Sequence, residues 1–398
     1  MPKDCQALVI GASGLIGWGV VDQLLRSYPS HGTFSKVTAL VNRPLKLEDS
    51  FWPNEEEGRP ELDLASGVDL LSSEEEVERM LKEKVKEVES ISHYLSRNFA
   101  THVTKAALAF KEILGDAVEE VRTNVGMMRR VVRAIKRLSS AFQFIVYPGG
   151  TRGYGIYRPG GIFSAPLVES MADTLPEDYA QTVAYPHYRK MLMTESTGQS
   201  WSWCELCPDA IIGFTPNGSG YSLAGHWAVY LYAWKLVHGE GVEVPFPGTA
   251  AAYDALYTET STRTLARVAI HASLHPSVFR ERIFNVADSA TPGRMRDRWP
   301  EITSWFGLKG TPPPATASVE DTKPSEFIKM HSMRLQHAGA KGVQIWNANQ
   351  LDSYGYWLTF DRHLSLERLR TAGFAEESAP REGWTEAFNL FKKAGMVG

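Results

Sequence analysis

Gly11, Gly14 and Gly17 are spaced to hold an anion. They follow the apolar run 7–10, which reads as a buried parallel strand, and open an apolar pattern over 15–25 that reads as a helix. In such a strand-turn-helix the first glycine makes the turn, the second lets backbone approach a diphosphate, and the third lets the helix lie against the strand. The unpaired N–H groups of the helix's first turn then point at the phosphates. Ser13, Leu15 and Ile16 share the turn with the glycines and complete its cofactor-facing backbone. The next strand, 37–41, ends at Asn42-Arg43, beside the expected adenosine ribose. An acid there would take the two ribose hydroxyls of NAD, whereas an arginine pairs with a 2′-phosphate, so Arg43 favours NADP. A second stretch, Tyr185-Pro186-His187-Tyr188-Arg189-Lys190, sets two phenols among cations. A free phenol titrates near pH 10 and becomes a useful acid where a positive charge stabilises its phenolate.

These residues need a sheet to hold them. Further strand patterns at 62–70, 90–95, 142–147, 202–214 and 284–288 are interleaved with helical patterns at 74–88, 104–137, 185–197, 226–238 and 295–306. Ser72 or Ser73 is the expected cap of the acidic helix at 74. The order predicts an α/β fold: a Rossmann-type doubly wound parallel sheet with a smaller, mostly helical C-terminal substrate lobe. Residues 1–214, with the strand near 283–288, are expected to form the nucleotide-binding domain, and 215–280 with 295–398 the lobe. Ligands of such sheets bind beyond the carboxyl ends of the strands, so the glycine-rich exit Gly149-Gly150-Thr151-Arg152 should line the site. Residues 156–182 read as an irregular cover over the pocket mouth and 310–324 as a surface linker. Trp227, Tyr230 and Trp234 are expected mostly in the core, with one or two rings touching ligand.

Composition narrows the classes. The chain has 398 residues, 43% hydrophobic and 22% charged, ample for a core. A net charge of −4 gives no basic field for nucleic acid or an anionic membrane. Nowhere do about 18 apolar residues run together, and the first apolar segment is a strand rather than a signal peptide, so a soluble cytoplasmic protein is expected. Cys5, Cys204 and Cys207 suit a reducing compartment; Cys204-x-x-Cys207 lacks a second ligand pair and reads as buried strand residues. No metal site and no serine nucleophile elbow is evident, which argues against a hydrolase. His93 and His187 read as packing or hydrogen-bonding residues.

The chain resembles the atypical extended short-chain dehydrogenase/reductases of the progesterone 5β-reductase and iridoid synthase family, the enone 1,4-reductases. The resemblance is carried by the glycine turn, Asn42-Arg43-Pro44, Asp69-Leu70, Asn124, Gly150-Thr151-Arg152, Tyr185, and 208–213 with Pro216. It continues through Phe284-Asn285, Trp299, Ile302 and Trp305-Phe306-Gly307-Leu308. It implies that Asp69, Leu70, Tyr94, Leu95 and Ile211 join the cofactor set, and that Tyr185 is the proton donor, with Tyr188 its competitor. Short-chain dehydrogenases ordinarily carry a lysine four residues after the tyrosine, on the same helix face. Here Arg189 stands there, and Lys190 is turned about 100 degrees away. The family places a lysine on the strand-five loop instead, where this sequence has Arg152. Arginine keeps the charge but cannot relay a proton, and its other reading is an anion partner or a clamp on the cover. The implied activity is NADPH-dependent 1,4-reduction of a small or medium apolar α,β-unsaturated carbonyl compound in secondary metabolism, with a homodimer a further expectation. The residues leave open a carbonyl reductase, an isomerase or cyclase with structural NADP, and a redox-sensing regulator.

Overall fold

The computed structural model describes residues 4–42, 45–54, 56–96, 113–216, 219, 221–316, 323–344 and 348–398. Arg43, assigned to the ribose phosphate, and the start of the helix expected from residue 104 lie outside the described residues. The strands in chain order are β1 (Cys5–Ile10), β2 (Phe34–Val41), β3 (Glu61–Ser66), β4 (His93–Ser96), β5 (Phe144–Pro148) and β6 (Ser202–Pro208). They continue with β7 (Ala210–Ile212), β8 (Glu243–Pro245), β9 (Glu259–Ser261), β10 (Arg282–Val286) and β11 (Lys309–Thr311). Seven form one parallel sheet in the order β10-β6-β5-β4-β1-β2-β3. The winding reverses between β1 and β4, which opens a crevice at their carboxyl ends.

Parallel strands covered on both faces divide their side chains between two cores. Ala7, Val9, Phe144 and Val146 face one, and Leu8, Ile10, Ile145 and Tyr147 the other. Helix α1 (Leu15–Leu25) lies in the first layer; α2 (Glu74–Lys84), α3 (Ile113–Leu138) and α4 (Ala184–Ser196) form the second. Ser73 caps α2 in a reciprocal box with Glu76. Helix α5 (Leu223–His238) begins the aromatic part of the molecule, and α6 (Thr262–Leu274) returns to the sheet, packing along α1. The last long helices are α7 (Met295–Trp305) and α8 (Pro380–Lys393).

One expected strand is two. The run 202–214 breaks at Asp209: β6 ends in the main sheet and β7 pairs instead with β9. Pro208 has no N–H to continue a ladder, and the buried Asp209 side chain accepts from the Thr151 hydroxyl at 2.8 Å. The start of the 310–324 stretch is likewise ordered, β11 pairing with β8. In α5 the Trp227 and Tyr230 rings are buried, and Trp227 meets Trp299 edge-on at 5.2 Å. The strap 357–366 crosses the cover: His363 O accepts from Leu167 N at 2.8 Å, and Leu364 N donates to Thr258 Oγ1 at 2.7 Å. Among the described residues no helix is long and apolar enough to cross a membrane.

Candidate active site

The glycine turn is a formed cradle. Gly11 takes φ +71°, a left-handed conformation that favours glycine, and its N–H and that of Ala12 donate to Leu40 O at 2.9 and 3.1 Å. A Cβ on Gly17 would stand 2.4 Å from Gly11 O, so α1 can approach the turn only without a side chain there. Gly14 caps α1 with no side-chain hydrogen bond, and no acid occupies the first turn. The N–H groups at the start of α1 are thus left to an anion at the positive end of the helix. Thr215, just beyond β7, donates to Ser13 O at 2.7 Å and latches the turn from the far side. These features fit a dinucleotide diphosphate, which the backbone of Gly11, Ser13, Gly14, Leu15, Ile16 and Gly17 would hold.

The remaining residues of the set lie within strands or in the turns that follow them. Asn42 is exposed at the end of β2. Asp69 is exposed after β3 and accepts from Leu71 N at 3.0 Å, while Leu70 O accepts from Arg130 at 3.0 Å. Tyr94 and Leu95 are buried in opposite cores, so what β4 can offer the crevice there is backbone. Ile211 sits in β7, opposite Thr260.

Tyr185 stands in the first turn of α4 and lies over the glycine-rich exit of β5. A Cβ on Gly150 would meet its hydroxyl at 3.3 Å, and one on Gly153 would meet its ring at 3.0 Å. Burial pushes its phenol well above the ordinary value, and the Arg152 guanidinium opposes the rise. Arg152 donates to Thr182 O at 2.8 Å and lies 3.6 Å from Glu120. Burial disfavours its charge, but Glu120 and the surrounding tyrosines more than restore it, so its pKa stands above the usual arginine value. Its Nε is buried without a hydrogen-bond partner among the described residues, as is Oδ1 of Asn124 on α3. The Tyr157 ring lies 5.5 Å from the guanidinium, and Tyr179 donates to Arg152 O at 3.0 Å, tying the cover to the exit.

The two tyrosines have different surroundings. Tyr188 points into the second core, edge-on to Tyr147 at 5.6 Å, and burial raises its phenol strongly. Arg152 is among the groups that act on Tyr185 and is absent from those that act on Tyr188.

The match of residues 7–397 to the PRISE-like Rossmann-fold domain settles the lineage. The chain belongs to that family. It is 31% identical to the short chain dehydrogenase ausT of Aspergillus calidoustus, across 98% of this chain and 94% of that one. It is 30% identical to the short chain dehydrogenase sirS of Leptosphaeria maculans, across 100% and 98%. Among solved structures it is similar to MlghC, a GDP-mannoheptose C4 reductase from Campylobacter jejuni with NADP bound. The TM-score is 0.60 at 13% identity, with 99% of each chain covered. Vestitone reductase from alfalfa gives 0.55 at 12% identity, across 98% of this chain and 99% of that one. At such identities the likeness is one of fold.

Two further ion pairs lie around the candidate acid. Arg189, at the position of the ordinary motif lysine, turns inward to Glu205 at 2.8 Å. Asp209, which holds Thr151, lies 3.3 Å from the buried Arg362 on the strap; burial raises its carboxyl and Arg362 opposes the rise. Glu120, Glu205, Asp209 and Arg362 were not singled out by sequence. Glu120 follows another glutamate in a charged helix, and Arg362 follows an ordinary loop acid, so nothing local distinguishes them. His93 is buried with Nδ1 2.8 Å from the Ser92 hydroxyl. Cys5, Cys204 and Cys207 are free, buried thiols, and among the described residues no group of three His, Cys, Asp or Glu could hold a metal ion.

Proposed function

We propose that this chain is an NADPH-dependent reductase of apolar α,β-unsaturated carbonyl compounds. The carrying observation is the Tyr185 phenol seated over Gly150 and Gly153, with the Arg152 charge acting on it at the carboxyl end of β5. When bound, the nicotinamide supplies a hydride. Tyr185 donates a hydrogen bond to the substrate's carbonyl oxygen, where negative charge develops as the β-carbon is reduced, and then passes its proton to the enolate. Arg152 steadies the phenolate left behind, a task for a fixed cation that need not itself give up a proton. The Tyr157 ring against the Arg152 guanidinium favours a flat, apolar substrate. Two relatives carry the name short chain dehydrogenase, and one structural neighbour is a reductase with NADP bound, which supports the cofactor and the reaction class.

The test is anaerobic incubation with NADPH and a panel of linear and cyclic enones, following nicotinamide absorbance beside mass spectrometry. Loss of absorbance with a product heavier by two hydrogens on the carbon–carbon double bond is expected. Hydrogens added across the carbonyl would instead make the chain a carbonyl reductase, which the same phenol serves equally well. Product formed at unchanged absorbance and mass would replace the reductase by an isomerase or cyclase. Arg43→Asp should move the preference from NADPH towards NADH; an unchanged ratio of kcat/KM for the two cofactors would remove Arg43 from the ribose phosphate.

A further inference from the structure

We propose that Arg189 and Glu205 are positioning residues: a buried ion pair that locks the strand-five exit beneath Tyr185 and fixes the charge around its phenol. The inference rests on the reductase reading for the role of Tyr185. Glu205 is fully buried on β6, in register with Tyr147 of β5. Its Oε2 accepts from the Tyr147 hydroxyl and from Arg189, each at 2.8 Å, and its Oε1 accepts from the Cys207 thiol at 3.4 Å. That carboxylate occupies the place of a side chain on the neighbouring strand: a Cβ on Gly149 would stand 2.1 Å from Oε1. Gly149 is therefore held directly over Glu205, its N–H donating to Leu206 O at 2.7 Å, and the next residue, Gly150, backs the Tyr185 hydroxyl.

Arg189 completes the clamp from the helix that carries the acid. It stands one turn beyond Tyr185 on α4, and its second nitrogen donates to Ala172 O at 3.0 Å, in the cover. One guanidinium thus joins the helix, the cover and, through Glu205 of β6, the strand exit. The pair also matters electrostatically. Tyr185 faces Arg152 from the exit, Tyr157 from the cover, and Cys207 and Glu205 from β6; burial opposes its ionisation most, then Cys207, Tyr157 and, by the smallest share, Glu205, while Arg152 favours it. Tyr147, Cys207 and Arg189 face Glu205 in turn. Burial works against the Arg189 cation, but Glu205 and Tyr147 hold it charged well above its usual range. Removing one member of such a pair leaves the other charge uncompensated, so the two single substitutions act on Tyr185 in opposite senses.

The experiment compares Glu205→Gln, Arg189→Met, Arg189→Lys and the double Arg189→Met/Glu205→Gln chain with wild type, each with and without Tyr185→Phe. Alkaline difference spectra give the tyrosinate due to Tyr185 without any turnover. In Glu205→Gln this tyrosinate should form at lower pH than in wild type, and in Arg189→Met it should not. The double chain keeps the site neutral and folded if a single variant fails to fold, and its Tyr185 should ionise close to wild type. With a turned-over enone, Glu205→Gln should lower kcat roughly tenfold or more with little change in KM, and Arg189→Lys should recover most of the loss seen in Arg189→Met. Unchanged tyrosinate formation in every variant, or the same direction in both singles, overturns the proposal. A wild type that reduces no carbonyl compound overturns the reductase reading, and the spectra still decide the pairing.

Discussion

Tyr185 and Tyr188 differ less in sequence than in what surrounds them. Both phenols are raised by burial, but the Arg152 charge acts on Tyr185, whereas Tyr188 is packed against Tyr147 in the core. Tyr185→Phe should therefore lower kcat on the order of 100-fold, with urea stability near wild type, and Tyr188→Phe should leave kcat close to wild type. The reverse pattern in steady-state kinetics would make Tyr188 the donor. The phenol must be protonated to act, and burial holds the Tyr185 value well above the ordinary one. The pH–rate profile of the wild type should accordingly show no alkaline fall due to Tyr185 below about pH 10. Arg152→Met should cost activity and Arg152→Lys should restore part of it, because the position requires a cation with Glu120 beside it. Equal loss in both would mean that the guanidinium's fork, and not its charge, is what the site uses.

At the scale of elements, two glycines of α1 separate binding from packing. A Cβ on Gly17 would meet Gly11 O at 2.4 Å, whereas one on Gly19 would meet Thr262 of α6 at 3.0 Å. Gly17→Ala should push the helix start away from the turn and weaken NADPH binding by roughly tenfold or more, since the diphosphate depends on that backbone. Gly19→Ala should lower stability and spare the affinity. Fluorescence titration with NADPH beside urea unfolding checks both; equal losses of affinity would mean that the cradle is not confined to the turn. The span of α1 was legible because its glycines and apolar run are local signals, and the observed helix is the expected 15–25. So was the start of α4, and with it the placement of Tyr185 on a helix. The break at Asp209 was not read, because alternation continues through it; Pro208 was its one local signal, and the Thr151 and Thr258 partners of Asp209 hold the chain where it leaves the sheet. Glu205 was read as one more residue of an alternating strand. Its meaning lies in Arg189, Tyr147 and the missing side chain at Gly149, partners that no spacing rule brings together.

At the scale of the whole molecule, the two halves share a dependence on buried neutral histidines. His93 lies in β4 and His226 in α5, both buried, and burial lowers each from 6.5 to about 4. Below pH 6.5 the unfolded chain takes up these protons while the folded one does not, so stability falls as pH drops through the window from 6.5 to about 4. Each histidine accounts for about 3 kcal/mol by the lower end of that window. Asp288, buried beyond the end of β10, acts in the opposite sense. Burial raises it from 3.8 to about 6, so the folded chain holds a proton there that the unfolded chain has lost, and acidification from pH 6 towards 3.8 relieves the difference. Among these three groups the two histidines outweigh the aspartate, and the contribution of His93 can be isolated by His93→Phe, which keeps a ring against Phe34. Urea midpoints at several values between pH 7 and 4.5 should fall less steeply for the variant than for wild type. Parallel curves would show that His93 is charged in the folded chain, with its Ser92 contact holding the ring in place without keeping it neutral.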